Sequence, residues 1–184
     1  MRKYLPSLLM FSVAACAGAK SSAAPLPTQQ TVRVSGAAGG SGTLTMSGND
    51  IEATHTLAYS PDAVWRALPA VFDSLGITVA AIDPAKKSMG NEAFKVRGRL
   101  KNVPLSRLID CGNSTQIGPN ADNYDVSLTL LADVRPGDAG SSRVTTTFRA
   151  LGKPANFSQG YSECSSKGVV EGRFLEILKA RLAR

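Results

Sequence analysis

The chain has 184 residues, with 21 Lys or Arg against 14 Asp or Glu and a formal charge of +7. This length leaves room for one domain of ordinary size with its own hydrophobic core. The basic balance suits anionic lipids, glycans or acidic proteins, and the export signal described next argues against nucleic acid as a partner.

Residues 1–15 have the features of an export signal. Arg2 and Lys3 are followed by a mostly apolar run that is too short to span a bilayer. The run ends in Val13–Cys16 (Val-Ala-Ala-Cys), which resembles the bacterial lipobox. The resemblance implies cleavage before Cys16 and an acyl-bearing lipid on its thiol. Because no aspartate follows the cysteine, it also implies outer-membrane sorting in a diderm bacterium, with the protein facing the periplasm. An ordinary secretory signal cut at a nearby alanine is the alternative.

Residues 16–50 are rich in Gly, Ser and Ala and predict a flexible tether. Two segments in it, Thr31–Ser35 and Thr43–Ser47, alternate polar and apolar residues. They are expected either to pair as a hairpin or to add an edge strand to the domain.

The clearest element is a helix over Ser60–Leu75, after a strand over Ile51–Ala58. Ser60 suits the N-cap, and Gly76 suits a left-handed C-terminal cap. Pro69 predicts a kink, and two short helices meeting at Leu68 are the alternative. The apolar stripe of this helix comprises Val64, Trp65, Leu68, Val71, Phe72 and Leu75.

The remaining pattern completes a single α+β domain over residues 51–184. Its order, β-α-β-β-β-β-α, predicts two layers: a mostly antiparallel sheet packed on two helices. The further elements are a strand over Ile77–Ile82, a turn over Asp83–Lys87, a strand over Ser88–Leu100, a helical turn over Pro104–Ile109, a polar loop over Gly112–Asn123, strands over Tyr124–Val134 and Arg143–Leu151, and a helix over Val169–Leu182.

Three cysteines are present, at positions 16, 111 and 164. With Cys16 assigned to lipid, an oxidising envelope favours a disulfide between Cys111 and Cys164. Two cysteines without a CxxC partner make a poor metal site. No metal and no cofactor are predicted.

One stretch carries a family resemblance. Ser60-Pro-Asp-Ala-Val-Trp65, followed by Leu75-Gly-Ile-Thr-Val79 and an Asp-containing turn, resembles the helix-grip repeat of lipoprotein C of the β-barrel assembly machinery. The resemblance extends from Ser60 to roughly Phe94. It implies a helix-grip-like fold and a part in outer-membrane assembly or maintenance.

The sequence offers few candidates for chemistry. His55 is the one histidine, and no motif links it to a nucleophile or a metal ligand. Asp122 and Asp125 lie in an oxygen-rich segment that lacks the spacing of a calcium loop, so a solvated loop with Asx turns is the simpler interpretation. No catalytic residue is assigned, and the chain is predicted not to be an enzyme.

Lys95, Arg97, Arg99 and Lys101 alternate with apolar residues or glycine. In one strand this alternation would place all four cations on a single face. The simpler interpretation is the solvated face of a sheet, and the alternative is a contact surface for anionic headgroups or an acidic partner.

Together these features predict a lipid-anchored envelope protein that acts as a non-catalytic interaction module. Its partners would be the membrane, through the N-terminal lipid, and an envelope protein. The alternative function is a small carrier that holds an apolar or anionic lipid between sheet and helix.

Overall fold

The computed structural model describes residues 29–35, 41–47, 50–155, 158 and 160–184. The predicted signal peptide and Cys16 lie outside the described residues. These residues form three α-helices, of which the first and last pack on the sheet. They are α1 (Pro61–Leu75), α2 (Asn120–Asn123) and α3 (Val169–Leu182).

Helix α1 has the ends that its sequence predicts. The Ser60 hydroxyl accepts a hydrogen bond from the Ala63 N–H (3.3 Å), and Gly76 ends the helix in the left-handed conformation with φ of 76°. The helix runs unbroken through Pro69, whose side chain is exposed, so the alternative of two short helices is wrong. Its buried side chains are Val64, Leu68, Val71, Phe72 and Leu75.

The strands are all paired antiparallel, which confirms the predicted α+β class. They are β1 (Gln29–Ser35), β2 (Ser41–Ser47), β3 (Asp50–Leu57), β4 (Ala81–Asp83), β5 (Ser88–Arg97), β6 (Arg99–Leu100), β7 (Val103–Pro104), β8 (Ile109–Asp110), β9 (Asn113–Ser114), β10 (Gly118–Pro119), β11 (Tyr124–Pro136), β12 (Ser142–Pro154) and β13 (Ser162–Ser166).

The main sheet has the order β1-β2-β3-β12-β11-β5-β6-β7. Strand β4 pairs with β5, and β13 pairs with both β12 and β8. The two alternating segments near the N-terminus pair with each other as β1 and β2, and β2 also pairs with β3.

The long hairpin of β11 and β12 forms the centre of the sheet. Alternate residues of both strands are buried, which is the period of a sheet covered on one face. Helices α1 and α3 pack on this face and against each other, and the rings of Phe72 and Phe174 meet edge to face with centroids 5.7 Å apart. The result is one two-layer core.

The predicted strand over Ser88–Leu100 is wrong in its second part. The strand ends at Arg97, and Gly98 adopts a positive φ of 69° that turns the chain. Arg99 then pairs back with Arg97 as the first residue of β6. The alternation of polar and apolar residues continues through this turn, so the sequence pattern alone does not reveal that the strand ends here.

Two other segments differ from the predictions. Of the predicted strand over Ile77–Ile82, only Ala81 and Ile82 lie in a strand, β4, which continues to Asp83. The Ala80 N–H extends the ladder by donating to the Gly90 carbonyl (2.8 Å). The predicted loop over Gly112–Asn123 instead contains β9, β10 and α2. The helical turn expected within Pro104–Ile109 is present as a 3₁₀ turn over Leu105–Arg107.

The predicted disulfide between Cys111 and Cys164 is present. It joins the end of β8 to β13 and so connects this short strand to the central hairpin. On loop-closure entropy, a bond across a separation of 53 residues stabilises the fold by about 4 kcal/mol. Gly152 faces it, since a Cβ there would lie 2.9 Å from the Cys164 Sγ.

Candidate functional site

A groove lies where the C-terminal end of α1, helix α3 and the β6–β7 hairpin meet. Its cavity has a volume of about 380 Å³. Leu75, Leu100, Leu108 and Val170 are buried residues that line its apolar part. Lys101, Asn102, Arg173 and Glu176 are its exposed polar lining residues. The sequence predicts a contact groove or ligand site between sheet and helix, but it does not indicate these walls, because they come from three segments far apart in the chain.

Lys101 closes the end of α1. Its Nζ donates to the backbone carbonyls of Asp73 and Ser74, at 2.9 Å each. These carbonyls belong to the last turn, which has no basic residue of its own. A cation there is favourable, because these carbonyls carry the negative end of the helix dipole. The Asp73 carbonyl also accepts from the Gly76 N–H at 2.9 Å. Lys101 therefore attaches the β6–β7 hairpin to α1.

The four cations expected on one strand face are thus divided. Lys95 and Arg97 share a face of β5. Arg99 lies after the turn at Gly98, in β6. The Lys101 side chain binds the end of α1. The expectation that all four lie on one face of one strand is wrong, because Gly98 ends the strand. The prediction that these residues contact anions is a separate matter and stays a prediction.

Lys95, Arg97 and Arg99 remain exposed at the end of β5 and in β6. Arg97 Nε lies 3.8 Å from an Asp125 carboxylate oxygen. A pair of this kind between two exposed groups contributes about 0–1 kcal/mol. The Arg99 guanidinium donates to the Asn102 carbonyl at 3.0 Å. The three cations form what we term the basic end of the sheet.

Asp122 and Asp125, the candidate cation ligands, do not share a site. The Asp122 carboxylate accepts hydrogen bonds from the Ser106 N–H (2.8 Å) and the Ser106 hydroxyl (2.7 Å). Asp122 therefore fixes the start of the 3₁₀ turn, whereas Asp125 faces Arg97. Within the part of the chain that the structure describes, no group of three or more His, Cys, Asp or Glu is placed to hold a metal ion.

His55 lies in β3, as predicted, on the side of the strand that carries the buried Ala53 and Leu57. Burial lowers the pKa of its imidazole, and the charge of Lys179 on α3 lowers it further. The folded state therefore favours the neutral ring. The stability that this contributes is present above the unfolded-state pKa of about 6.5 and is lost as the pH falls below it.

Glu171 is a buried carboxyl in the first turn of α3 whose burial the sequence pattern does not indicate. The residue is 4% exposed, and one carboxylate oxygen accepts from the Ser166 hydroxyl at 2.9 Å. Burial raises the pKa of Glu171, and the hydrogen bonds from its own N–H and from Ser166 oppose the rise. An acidic residue in the first helical turn is a helix-end signal, but its burial depends on the tertiary fold.

No helix in the described ranges combines the length and the apolar character needed to cross a bilayer. A scan of protein-family models and a search of curated proteins found no significant match to this chain. The resemblance to lipoprotein C of the β-barrel assembly machinery therefore remains a prediction from the residues of α1 and its surroundings.

We expect Lys101→Met to lower the free energy of unfolding by about 1 kcal/mol, since it leaves the α1 carbonyls without a cation. Lys95→Met removes an exposed cation from β5 and should change stability by less than about 0.5 kcal/mol. Urea unfolding of both variants measures the difference. Equal effects would show that Lys101 does not stabilise α1.

The raised pKa of Glu171 predicts a pH-dependent effect. The folded state binds this proton more tightly than the unfolded chain, so the carboxyl favours folding as the pH falls and opposes it once ionised. The stability of Glu171→Gln relative to the wild type should therefore increase between pH 4 and pH 8. Unfolding curves across this range measure it, with Glu176→Gln, an exposed carboxyl on the same helix, as control. A constant difference between Glu171→Gln and the wild type would contradict the assignment.

Proposed function

We propose that this protein is a lipid-anchored protein of the cell envelope whose folded part is a non-catalytic interaction module. A lipid on Cys16 anchors the protein in the outer membrane, where the folded part faces the periplasm. The partner is an envelope protein, and the process is outer-membrane assembly or maintenance.

The disulfide is the observation that supports a location in the cell envelope. Disulfides persist in exported proteins and are rare in reducing compartments. The Cys111–Cys164 bond joins elements of the core rather than a surface loop, and Gly152 leaves room for its sulfur atoms. A fold with these features suits an exported protein, as does the signal-like sequence of residues 1–15.

The basic end of the sheet supports the proposal that the folded part binds a partner. Its three cations are exposed, and the one ion pair that they form with described residues joins Arg97 to Asp125 at 3.8 Å. Such charges remain available to an acidic surface and contribute more to partner choice and association rate than to the stability of the fold.

Metabolic labelling with an alkyne palmitate analogue tests the anchor in a diderm bacterium that produces the full chain. The wild-type protein should be labelled and should sediment with membranes, whereas Cys16→Ser should lose both properties, because it has no thiol to receive the lipid. The Cys111→Ser/Cys164→Ser double variant controls for loss of thiols in general and should still be labelled. An unlabelled wild type, or label retained in Cys16→Ser, would refute the anchor.

A further inference from the structure

The groove between α1 and α3 is open on one side and combines an apolar surface with charges at its opening. Its volume of about 380 Å³ lies within the range of about 300–1,000 Å³ that is typical of small-molecule sites. Leu75, Leu100 and Leu108 are at most 7% exposed and lie on its apolar side, with Val170. Val103 and Ile177 are partly buried and continue this surface towards solvent. A small apolar group placed here would be removed from water on several sides.

The opening of the groove is mainly cationic. Lys101 and Arg173 line it with Glu176 as the one acidic residue among its lining residues. Arg181 adds a third cation, since its guanidinium lies 3.3 Å from the hydroxyl of Ser74, another lining residue. Lys101 is bound to the carbonyls of α1, but Arg173 forms no ion pair or hydrogen bond with the residues that the structure describes. Arg173 is therefore the cation best placed to meet an anionic group.

We propose that this groove binds a single-chain amphiphile. Its apolar chain lies against Leu75, Leu100 and Leu108, and its carboxylate or phosphate headgroup lies at Arg173. The charge of the opening favours an anionic headgroup over a neutral one. A helical peptide would need a longer apolar groove for anchors spaced along several turns. The inference goes beyond the proposed function, because it requires neither the anchor nor an envelope partner.

Fluorescence titration with cis-parinaric acid tests the site. The protein is the full chain carrying Cys16→Ser, so that a lipid attached to the protein cannot compete. Arg173→Glu should weaken binding at least about fivefold, because it reverses the charge that meets the carboxylate. Arg135→Glu makes the same charge change at the far end of β11 and should leave binding within about twofold of the parent.

Two further measurements separate the apolar and charged contributions. Ile177→Trp places a larger side chain at the groove and should abolish saturable binding, while its unfolding curve shows whether the fold is retained. The uncharged methyl ester of the probe should bind more weakly than the acid. Displacement by oleate and by oleoyl lysophosphatidate then identifies the preferred headgroup, and either one displacing the probe supports the proposal.

The proposal is overturned by no saturable binding to the parent chain. It is equally overturned if Arg173→Glu and Arg135→Glu bind alike, or if the methyl ester binds as tightly as the acid. Binding retained by a folded Ile177→Trp variant would place the ligand elsewhere.

Discussion

The packing of α1 on the central hairpin is the contact on which the rest of this structure depends. Its apolar side chains cover the buried face of β11 and β12, and Phe72 meets Phe174 of α3. Fully burying a side chain of this size contributes about 1.5–3 kcal/mol, so the interface between the helices and the sheet contributes strongly to the stability of the fold. Because α1 and α3 lie side by side, their ends also form the wall of the groove.

A second contact, between Lys101 and the end of α1, connects this core to the candidate site. Helix α1 has no basic residue in its last turn, and Lys101 supplies one from the β6–β7 hairpin, which follows β4 and β5 in the chain. The same interaction fixes β6 and β7 beside α1 and removes Lys101 from the basic end of the sheet. Stability and surface charge are therefore linked at this residue: one lysine both ends a helix and lines the groove.

The parts of the fold that local signals encode could be predicted. Ser60 and Gly76 fix the ends of α1, and the predicted range of α3 agrees with the structure. The disulfide was predicted from the number of cysteines and from the predicted export signal. The turn at Gly98 could not be predicted, because the residues around it keep the alternation of a strand. Asn113–Asn123 is short of apolar residues, so periodicity gave no indication of β9, β10 or α2. The groove depends on contacts between distant segments, which no local pattern records.

In-cell photo-crosslinking tests the central claim, an interaction module in the cell envelope, most directly. A photoreactive amino acid replaces Lys95 at the basic end of the sheet or, as a control, Arg135 at the other end of the central hairpin. The account predicts a reproducible crosslink from position 95 to an envelope protein and no such product from position 135. A chain that folds and reaches the envelope, but gives no crosslink from position 95 or the same products from both positions, would contradict it.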